Sequence, residues 1–429
     1  MLVIISDLHF TDGTTSNYSD NNEDLFNINP EAFRIFFRKI SDIVERRPSI
    51  EEVTFIYDGD IFDILRTHLW FGAPQNELPW SLPLEKDKVY KRCDNILNEI
   101  INHNEASLSW LNGTHEEFKD TWKAQVKIDR IYIPGNHDRI INLHSPCRRK
   151  VNQHLLNKPG DSRFSPFYMD RDFHQTLVMH GHESDAFNCE FDKKGKPKYS
   201  AVPIGDPMTT MLFARMGYDA EKLPINNEAK KRFRDIDNVR PSIAAIRYVQ
   251  DIINDFNIGK KVEGMLGDIL SDFKDLPFYE KWNDEHDRFN IGYDEADKLQ
   301  FALRAISFLG TKVPAGLLEK LSAFVRDDSC VKLANKTLEQ GLAQDIRFCV
   351  FGHTHEPLHV PLCFDPELSI EKHYLNTGTF RTTFTQTYDK ELFVRFQRMS
   401  YVIIYGPDEY AKGEKTPMYE MWSGIRMHH

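Results

Sequence analysis

Five times along the sequence an apolar run of four or five residues stops and gives way to aspartate, asparagine or histidine. Leu2-Val3-Ile4-Ile5 leads to Asp7 and His9. Val53-Thr54-Phe55-Ile56-Tyr57 leads to Gly59, Asp60 and Asp63. Arg130-Ile131-Tyr132-Ile133 leads to Gly135, Asn136, His137 and Asp138. Thr176-Leu177-Val178-Met179 leads to His180, Gly181 and His182. Phe348-Cys349-Val350-Phe351 leads to Gly352, His353 and His355. Short apolar runs of this kind read as buried strands, and a run without polar alternation suits a strand covered on both faces. Ligands of α/β sheets bind beyond the carboxyl ends of strands. Five such ends bearing metal-type or acid–base side chains therefore imply one site assembled from five converging loops. At the last of them, an i, i+2 pair on extended backbone points to one side, which would bring the His353 and His355 rings into one small volume. Neutral imidazole is a common metal ligand, and Gly352 lets the backbone turn without a Cβ clash.

The segments between these ends set the fold class. Residues 12–29 are polar and turn-rich. Residues 30–46 predict a helix, with Pro30 suited to the first position and Phe33, Phe36, Phe37, Ile40 and Ile43 at three- and four-residue steps. The order strand, helix, strand implies a parallel pair with a right-handed crossover. Residues 66–129 form a long excursion. Trp70, Trp80, Pro74, Pro79 and Pro83 suggest an irregular rim loop, and residues 84–103 a helix. Trp70, Phe71 and Trp80 suit core or rim packing better than stacking on a base or sugar. Residues 183–345 are an insertion rich in helix signals: 241–256 stopping at Gly259, 294–309 stopping at Gly310, and 315–325. Both its ends abut site loops, which favours a helical cap over the site; a subdomain packed to the side or a dimer interface is the alternative. Residues 373–379 predict a strand and turn, and 391–397 and 400–405 two closing strands of a second sheet. The expected fold is thus α+β/α/β, two sheets flanked by helices, with a core of 1–182 and 346–429.

Composition excludes some roles. The 429 residues are 41% apolar, ample for a core, and carry a net charge of −11. There is no overall basic footprint for long nucleic acid, although a local basic groove stays open. Six scattered cysteines without a Cys-x-x-Cys pair read as free thiols in a reducing compartment. No run of 18 apolar residues predicts a membrane span, and the start lacks a basic, then apolar leader, so a cytoplasmic protein is expected. Oligomeric state is not indicated.

Asp7, His9, Asp60, Asn136, His180, His353 and His355 are seven candidate metal ligands. Seven mixed oxygen and nitrogen ligands exceed the needs of one tetrahedral ion and suit two ions sharing a carboxylate. Two-metal sites act on phosphate esters, clamping phosphoryl oxygens and lowering the pKa of a bound water. A leaving alkoxide needs a proton: His137 is placed to give it, and Asp63 to orient that ring. Without thiolate the set fits Mn, Fe, Zn, Co or Ni. Arg139 and Arg381 are candidate phosphate binders and His182 a candidate lining residue, whereas Arg148 and Arg149 suit the surface.

Asp7-x-His9, Gly59-Asp60-x-x-Asp63, Gly135-Asn136-His137-Asp138, His180 and Gly352-His353-x-His355, in this order, resemble the calcineurin-like metallophosphoesterase superfamily. The resemblance covers residues 1–182 and 346–405. It implies a two-sheet sandwich with a dinuclear site at one edge. Asp7, His9, Asp60 and His355 would hold one ion, and Asp60 as bridge with Asn136, His180 and His353 the other. His137 would be the acid or transition-state stabiliser, paired with Asp63. The insertion is similar to that of bacterial UDP-diacylglucosamine hydrolases, but those usually carry arginine at the position of His137. Histidine there is closer to protein phosphatases, diesterases and repair nucleases. Phosphoester hydrolysis is the expected activity, with a nuclease or nucleotide phosphodiesterase as the alternative, a pyrophosphatase next, and a scaffold that lost its site last, since none of the seven ligands is missing.

Overall fold

Alternation within a single strand sets the layers. Leu2 and Ile4 face a core shared by two sheets, and Val3 and Ile5 face a core shared with helices. Successive side chains of a strand point opposite ways, so a strand between two apolar layers is apolar throughout. The computed structural model describes residues 1–16, 24, 26–82, 84–240, 244–287, 295–309, 313–314, 328–339, 345–365, 370–389 and 391–427. Its strands are β1 (Leu2–Ile5), β2 (Glu52–Asp58), β3 (Lys127–Ile133), β4 (Phe167–Asp170), β5 (Thr176–Met179), β6 (Val239–Arg240), β7 (Phe348–Phe351), β8 (Leu358–Asp365), β9 (Ile370–Asn376), β10 (Thr382–Gln386), β11 (Phe393–Tyr405) and β12 (Met418–Met427).

One sheet has the order β3-β2-β1-β11-β10-β6, with β12 also paired to β11, and the other β4-β5-β7-β9-β8. Both are mixed. β1, β2 and β3 run parallel, as do β5, β7 and β9, while β11 is antiparallel to β1 and β10. Ile56, Ile133, Val402 and Ile404 join Leu2 and Ile4 against Val178, Phe348, Val350 and Leu375 of the second sheet. The outer face of the first sheet is covered by α1 (Pro30–Glu45), whose N-terminus is capped by the Asn29 side chain accepting from the Glu31 N–H. The outer face of the second is covered by the helix Ser329–Glu339, through Ala334 and Leu338 against Cys349, Phe351 and Tyr374. The result is an α+β fold in which two sheets lie face to face between helices.

Phe36 of α1 is central to the first helical layer. Its ring lies 5.1 Å from Phe37, 6.1 Å from Phe55, 5.6 Å from Phe380 and 5.1 Å from Tyr401. Phe36→Ala should cost about 3–5 kcal/mol through lost burial and a cavity ringed by stiff aromatics. Urea unfolding should show a lower midpoint at unchanged slope; a cost below about 1 kcal/mol would mean that the layer collapses onto the gap.

Several expectations need correction. Two closing strands were expected at 391–405, but β11 is one strand of 13 residues. Arg398 and Met399, the expected break, pair with β12 in unbroken register. β4, β6, β8, β10 and β12 were not anticipated; β8 carries an apolar stretch from Val360 to Phe364, but Pro361 within it argues against a strand. The helix Ala244–Phe256 ends at Asn257, whose φ of 50° is left-handed, and Gly259 opens the next helix, Gly259–Lys274, instead of stopping the first. The helix expected from Leu84 starts at Lys86, and a second one, Glu105–Asn112, follows it. Trp70 and Trp80 are buried in the core, with Trp70 Nε1–H donating to the Ile64 carbonyl at 2.8 Å. The insertion is not helical throughout, because β6 pairs in parallel with β10 and so extends the first sheet. Pro83, residues 241–243, Gly310, the helix expected at 315–325 and His428-His429 lie outside the described residues. Among the described residues no helix is long and apolar enough to cross a membrane. All six cysteines are free, and all but Cys363 are buried.

Candidate metal centre

The parallel strands β1, β2 and β3 deliver their C-terminal loops to one rim, and β5 and β7 of the facing sheet deliver theirs beside it. Backbone pairing continues past the strand ends. The Asp7 N–H donates to the Gly59 carbonyl at 3.1 Å, the His9 N–H to Asp60 at 2.8 Å, and the Gly352 N–H to His180 at 3.0 Å. The loops are thus laced to one another, which holds unusual backbone angles in place. Asp7, His9, Asp60, His353 and His355 have φ of 53°, 45°, 52°, 70° and 61°; they are five of the nine described non-glycine residues with positive φ. Left-handed backbone costs an ordinary residue about 1–2 kcal/mol, and such strain gathers at functional sites.

That backbone overturns one expectation. With both residues left-handed, residues 353–355 are not extended, and the two rings part company. His355 Nε2 lies 3.2 Å from Asp7 Oδ1 and 3.0 Å from His9 Nε2, whereas His353 groups with Asp60 and His180. The result is two adjacent clusters, Asp7–His9–His355 and Asp60–His180–His353. Asp60 touches both: its Oδ2 is 3.2 Å from His180 Nε2 and 3.7 Å from His9 Nε2.

Hydrogen bonds behind the rings fix which nitrogen faces inward. His180 Nδ1–H donates to the Asp58 carbonyl at 2.8 Å, so its lone pair is on Nε2. His9 Nδ1–H donates to Asp63 Oδ2 at 2.9 Å, with the same consequence. Asn136 donates its amide N–H to Asn188 Oδ1 at 3.2 Å, leaving its own Oδ1 free. Asp7 Oδ1, Asn136 Oδ1 and His180 Nε2 are buried without a hydrogen-bond partner. Each such atom ordinarily costs about 1–3 kcal/mol. Lone pairs and carboxylate oxygens this close repel one another unless a cation stands among them. The residues therefore fit divalent ions, and the donor set, all oxygen and nitrogen, fits Mn, Fe, Co, Ni or Zn.

The charges agree. Burial pushes the Asp7 carboxyl up, but His355 and His9 pull it well below the usual range. Asp60 is likewise held down against burial by His180 and His137, and Asp63 by His137 and Arg66. All three are ionised, as residues that could hold or support a metal need to be. Asp63 divides its oxygens, Oδ2 to His9 and Oδ1 to His137 Nδ1 at 2.8 Å. Burial pulls the His137 imidazole down, but Asp63 and Asp60 outweigh it and hold the ring at about 9. Asp138, pushed by burial up to about 7, accepts from the Gly135 N–H at 2.7 Å and the Ile61 N–H at 2.9 Å, tying the loop after β3 to that after β2.

The motif glycines make room. A Cβ on Gly135 would stand 2.3 Å from Asp60 Oδ1, and one on Gly352 2.6 Å from Asp7 Oδ2. Neither glycine has positive φ, so close approach explains Gly352, not freedom to turn. Gly135→Ala should push Asp60 aside and weaken metal binding about 10- to 100-fold, the usual cost of disturbing a ligand's support. Chelator competition reads this, with circular dichroism as the check on folding; unchanged affinity would mean that Asp60 does not hold metal.

The seven candidate ligands, His137 and Asp63 fall in or beside these clusters. The three candidate substrate residues do so unequally. His182 is buried, its ring 5.5 Å from that of His180, and burial pulls its imidazole down to about 4. Arg381 is buried, with Nη1 3.4 Å from the His9 carbonyl and 3.8 Å from Asp63 Oδ2. Arg139 is buried and engaged by Asp206 of the insertion, which makes it a tie between core and insertion. Sequence reasoning missed Asp185, Asn188, Arg66 and Arg240. Asp185 Oδ2 is 3.5 Å from His353 Nε2 and accepts from Asn188 at 2.6 Å. The run His182-Glu183-Ser184-Asp185 straight after His180 was the available signal. A separate group, Asp94, His144 and Cys147, is disfavoured as a metal site, because Lys150 pairs with Asp94 and burial pushes the Cys147 thiol up to about 12.

No family model matches this chain, and no curated protein matches it.

Proposed function

We propose that this chain is a dinuclear metal-dependent phosphoesterase of the calcineurin-like metallophosphoesterase kind. The observation that carries the reading is the position of Asp60 Oδ2 between His180 Nε2 and His9 Nε2, one carboxylate shared by two clusters of ligands. Asp7, His9, Asp60 and His355 would hold one ion, and Asp60, Asn136, His180 and His353 the other, with Mn²⁺ the first choice. The chemistry that such a pair supplies is Lewis-acid clamping of phosphoryl oxygens and a hydroxide nucleophile at neutral pH. The chain's own part is positional and acid–base. Asp63 orients His9 and His137 together. His137, charged at neutral pH and 14% exposed where His9 is 1% exposed, stands at the open side of the cluster and donates the proton to the leaving oxygen.

The test is hydrolysis of a nitrophenyl phosphate monoester and of the bis-nitrophenyl diester by metal-stripped protein given Mn²⁺, with Asp60→Asn as control. Mn²⁺-dependent turnover that the control lacks is the expected result, and the ratio of the two esters separates a phosphatase from a diesterase or nuclease. Turnover independent of Mn²⁺, or retained by the control, would sink the proposal.

A further inference from the structure

One wall beside the first cluster is built from arginines, and the insertion supplies part of it. Arg66, three residues past Asp63, has all its nitrogens engaged: Nη1 3.4 Å from Asp63 Oδ2, Nε 3.2 Å from Asp237 Oδ2, and Nη2 donating to Asn238 Oδ1 at 3.1 Å. It fastens residues 237–240 of the insertion to the loop after β2. The pairing of β6 with β10 fixes the same segment from the other side, with Arg240 opposite Thr385. Arg240 Nη1 donates to the Asp237 and Val239 carbonyls, and its Nη2 donates to His355 Nε2 at 3.3 Å. Among the described residues no carboxylate lies within ion-pair distance of Arg240. Arg381, near enough to Arg66 and Arg240 to feel both charges, is buried with its guanidinium 5.3 Å from the Phe26 ring and its Nε and Nη2 lacking any hydrogen-bond partner.

The Arg240 contact is the informative one. A lone pair on His355 Nε2 serves a guanidinium or a metal ion, not both. Arg240 also has its Nη1 fixed to backbone, so it cannot swing far. Once His355 binds an ion, the Nη2 N–H groups of Arg240 are left beside that ion with nothing to donate to. Three guanidinium groups stand there against Asp63 and Asp237, and two divalent ions would stand against Asp7 and Asp60, so positive charge is in excess on both counts.

We propose that Arg240 and Arg381, with Arg66 as their brace, form an anion subsite beside the metals that receives a doubly charged terminal phosphoryl group. This rests on the dinuclear reading above and narrows it: guanidinium forks match several oxygens of one phosphate, which an internal diester, with a single charge, uses poorly. It also gives the insertion a part in substrate binding, since Arg240 belongs to it.

The experiment is calorimetric titration of Mn²⁺-loaded protein with inorganic phosphate and, separately, with dimethyl phosphate, a singly charged diester. Bound Mn is counted by mass spectrometry, and wild type, Arg240→Met and Arg240→Lys are compared. Wild type should prefer inorganic phosphate. Arg240→Met should keep the wild-type Mn count, lose about 10- to 100-fold in phosphate affinity, and lose most of the preference. Arg240→Lys, which keeps the charge without the fork, should fall between. Wild-type phosphate affinity in Arg240→Met, no preference in the wild type, or loss of Mn together with phosphate would each overturn the subsite. If Arg240→Met does not fold, Arg240→Lys decides alone: a loss of several-fold supports the subsite, and none overturns it. A wild type that takes up no Mn overturns the dinuclear reading by itself, and the same phosphate comparison on metal-free protein still judges Arg240.

Discussion

Asp60→Asn protein, stripped and dialysed against Mn²⁺, should hold at most a small fraction of the two ions per chain expected of the wild type, and its turnover should fall by about 10³-fold or more. The reason is the double duty of this side chain. Its Oδ2 lies between His180 and His9, while its Oδ1 accepts the His137 backbone N–H at 2.8 Å. Asparagine keeps the size and still offers one oxygen, so the loop after β3 stays in place. What disappears is the negative charge that both clusters share, and a neutral amide bridges two divalent ions poorly. Metal content by mass spectrometry and a thermal midpoint taken without metal separate lost binding from lost folding. A variant with two ions and wild-type turnover would show that Asp60 is not the bridge.

Much of the architecture around this residue is legible in the sequence, for a physical reason. β1, β2, β5 and β7 are covered on both faces over most of their length, so their runs are largely apolar and stand out from polar surroundings, whereas the edge strand β3 is legible only through Ile131, Tyr132 and Ile133. β10 and β12 are less apolar, and β6 is two residues long. Their pairing comes from partners distant in the chain, which no local pattern reveals. The same divide runs through the site. The seven candidate ligands sit at strand ends, where position follows from the strand itself. The left-handed backbone at Asp7, His9, Asp60, His353 and His355 is imposed by lacing between loops and leaves no mark on residue type. For that reason the i, i+2 spacing alone points the wrong way for His353 and His355, and only the resemblance assigns the two rings to different clusters. Arg240 is the extreme case, brought beside His355 only by the β6–β10 pairing and by Arg66.

His137→Ala should separate metal binding from proton delivery. The backbone N–H of residue 137, not its ring, contacts Asp60, so alanine keeps that contact and both ions should remain. Asp63 loses one imidazole but keeps His9 and Arg66. Turnover should nevertheless fall by about 10²–10⁴-fold, the range for removing a positioned general acid. The loss should be largest for esters with poor leaving groups, such as alkyl phosphates, and smallest for nitrophenyl esters, whose oxygen departs without a proton. The pH profile adds a second signature. Only protonated His137 can donate, so wild-type activity should fall as pH rises through the pKa of this ring. Asp63 and Asp60 hold that pKa at about 9, and two neighbouring cations would pull it lower, so the descending limb should lie at or below about 9. His137→Ala should lack this limb. If the variant turned over alkyl esters at the wild-type rate, or kept the limb, the proton would have to come from elsewhere, and His182, buried and held neutral beside His180, would be the next residue to replace.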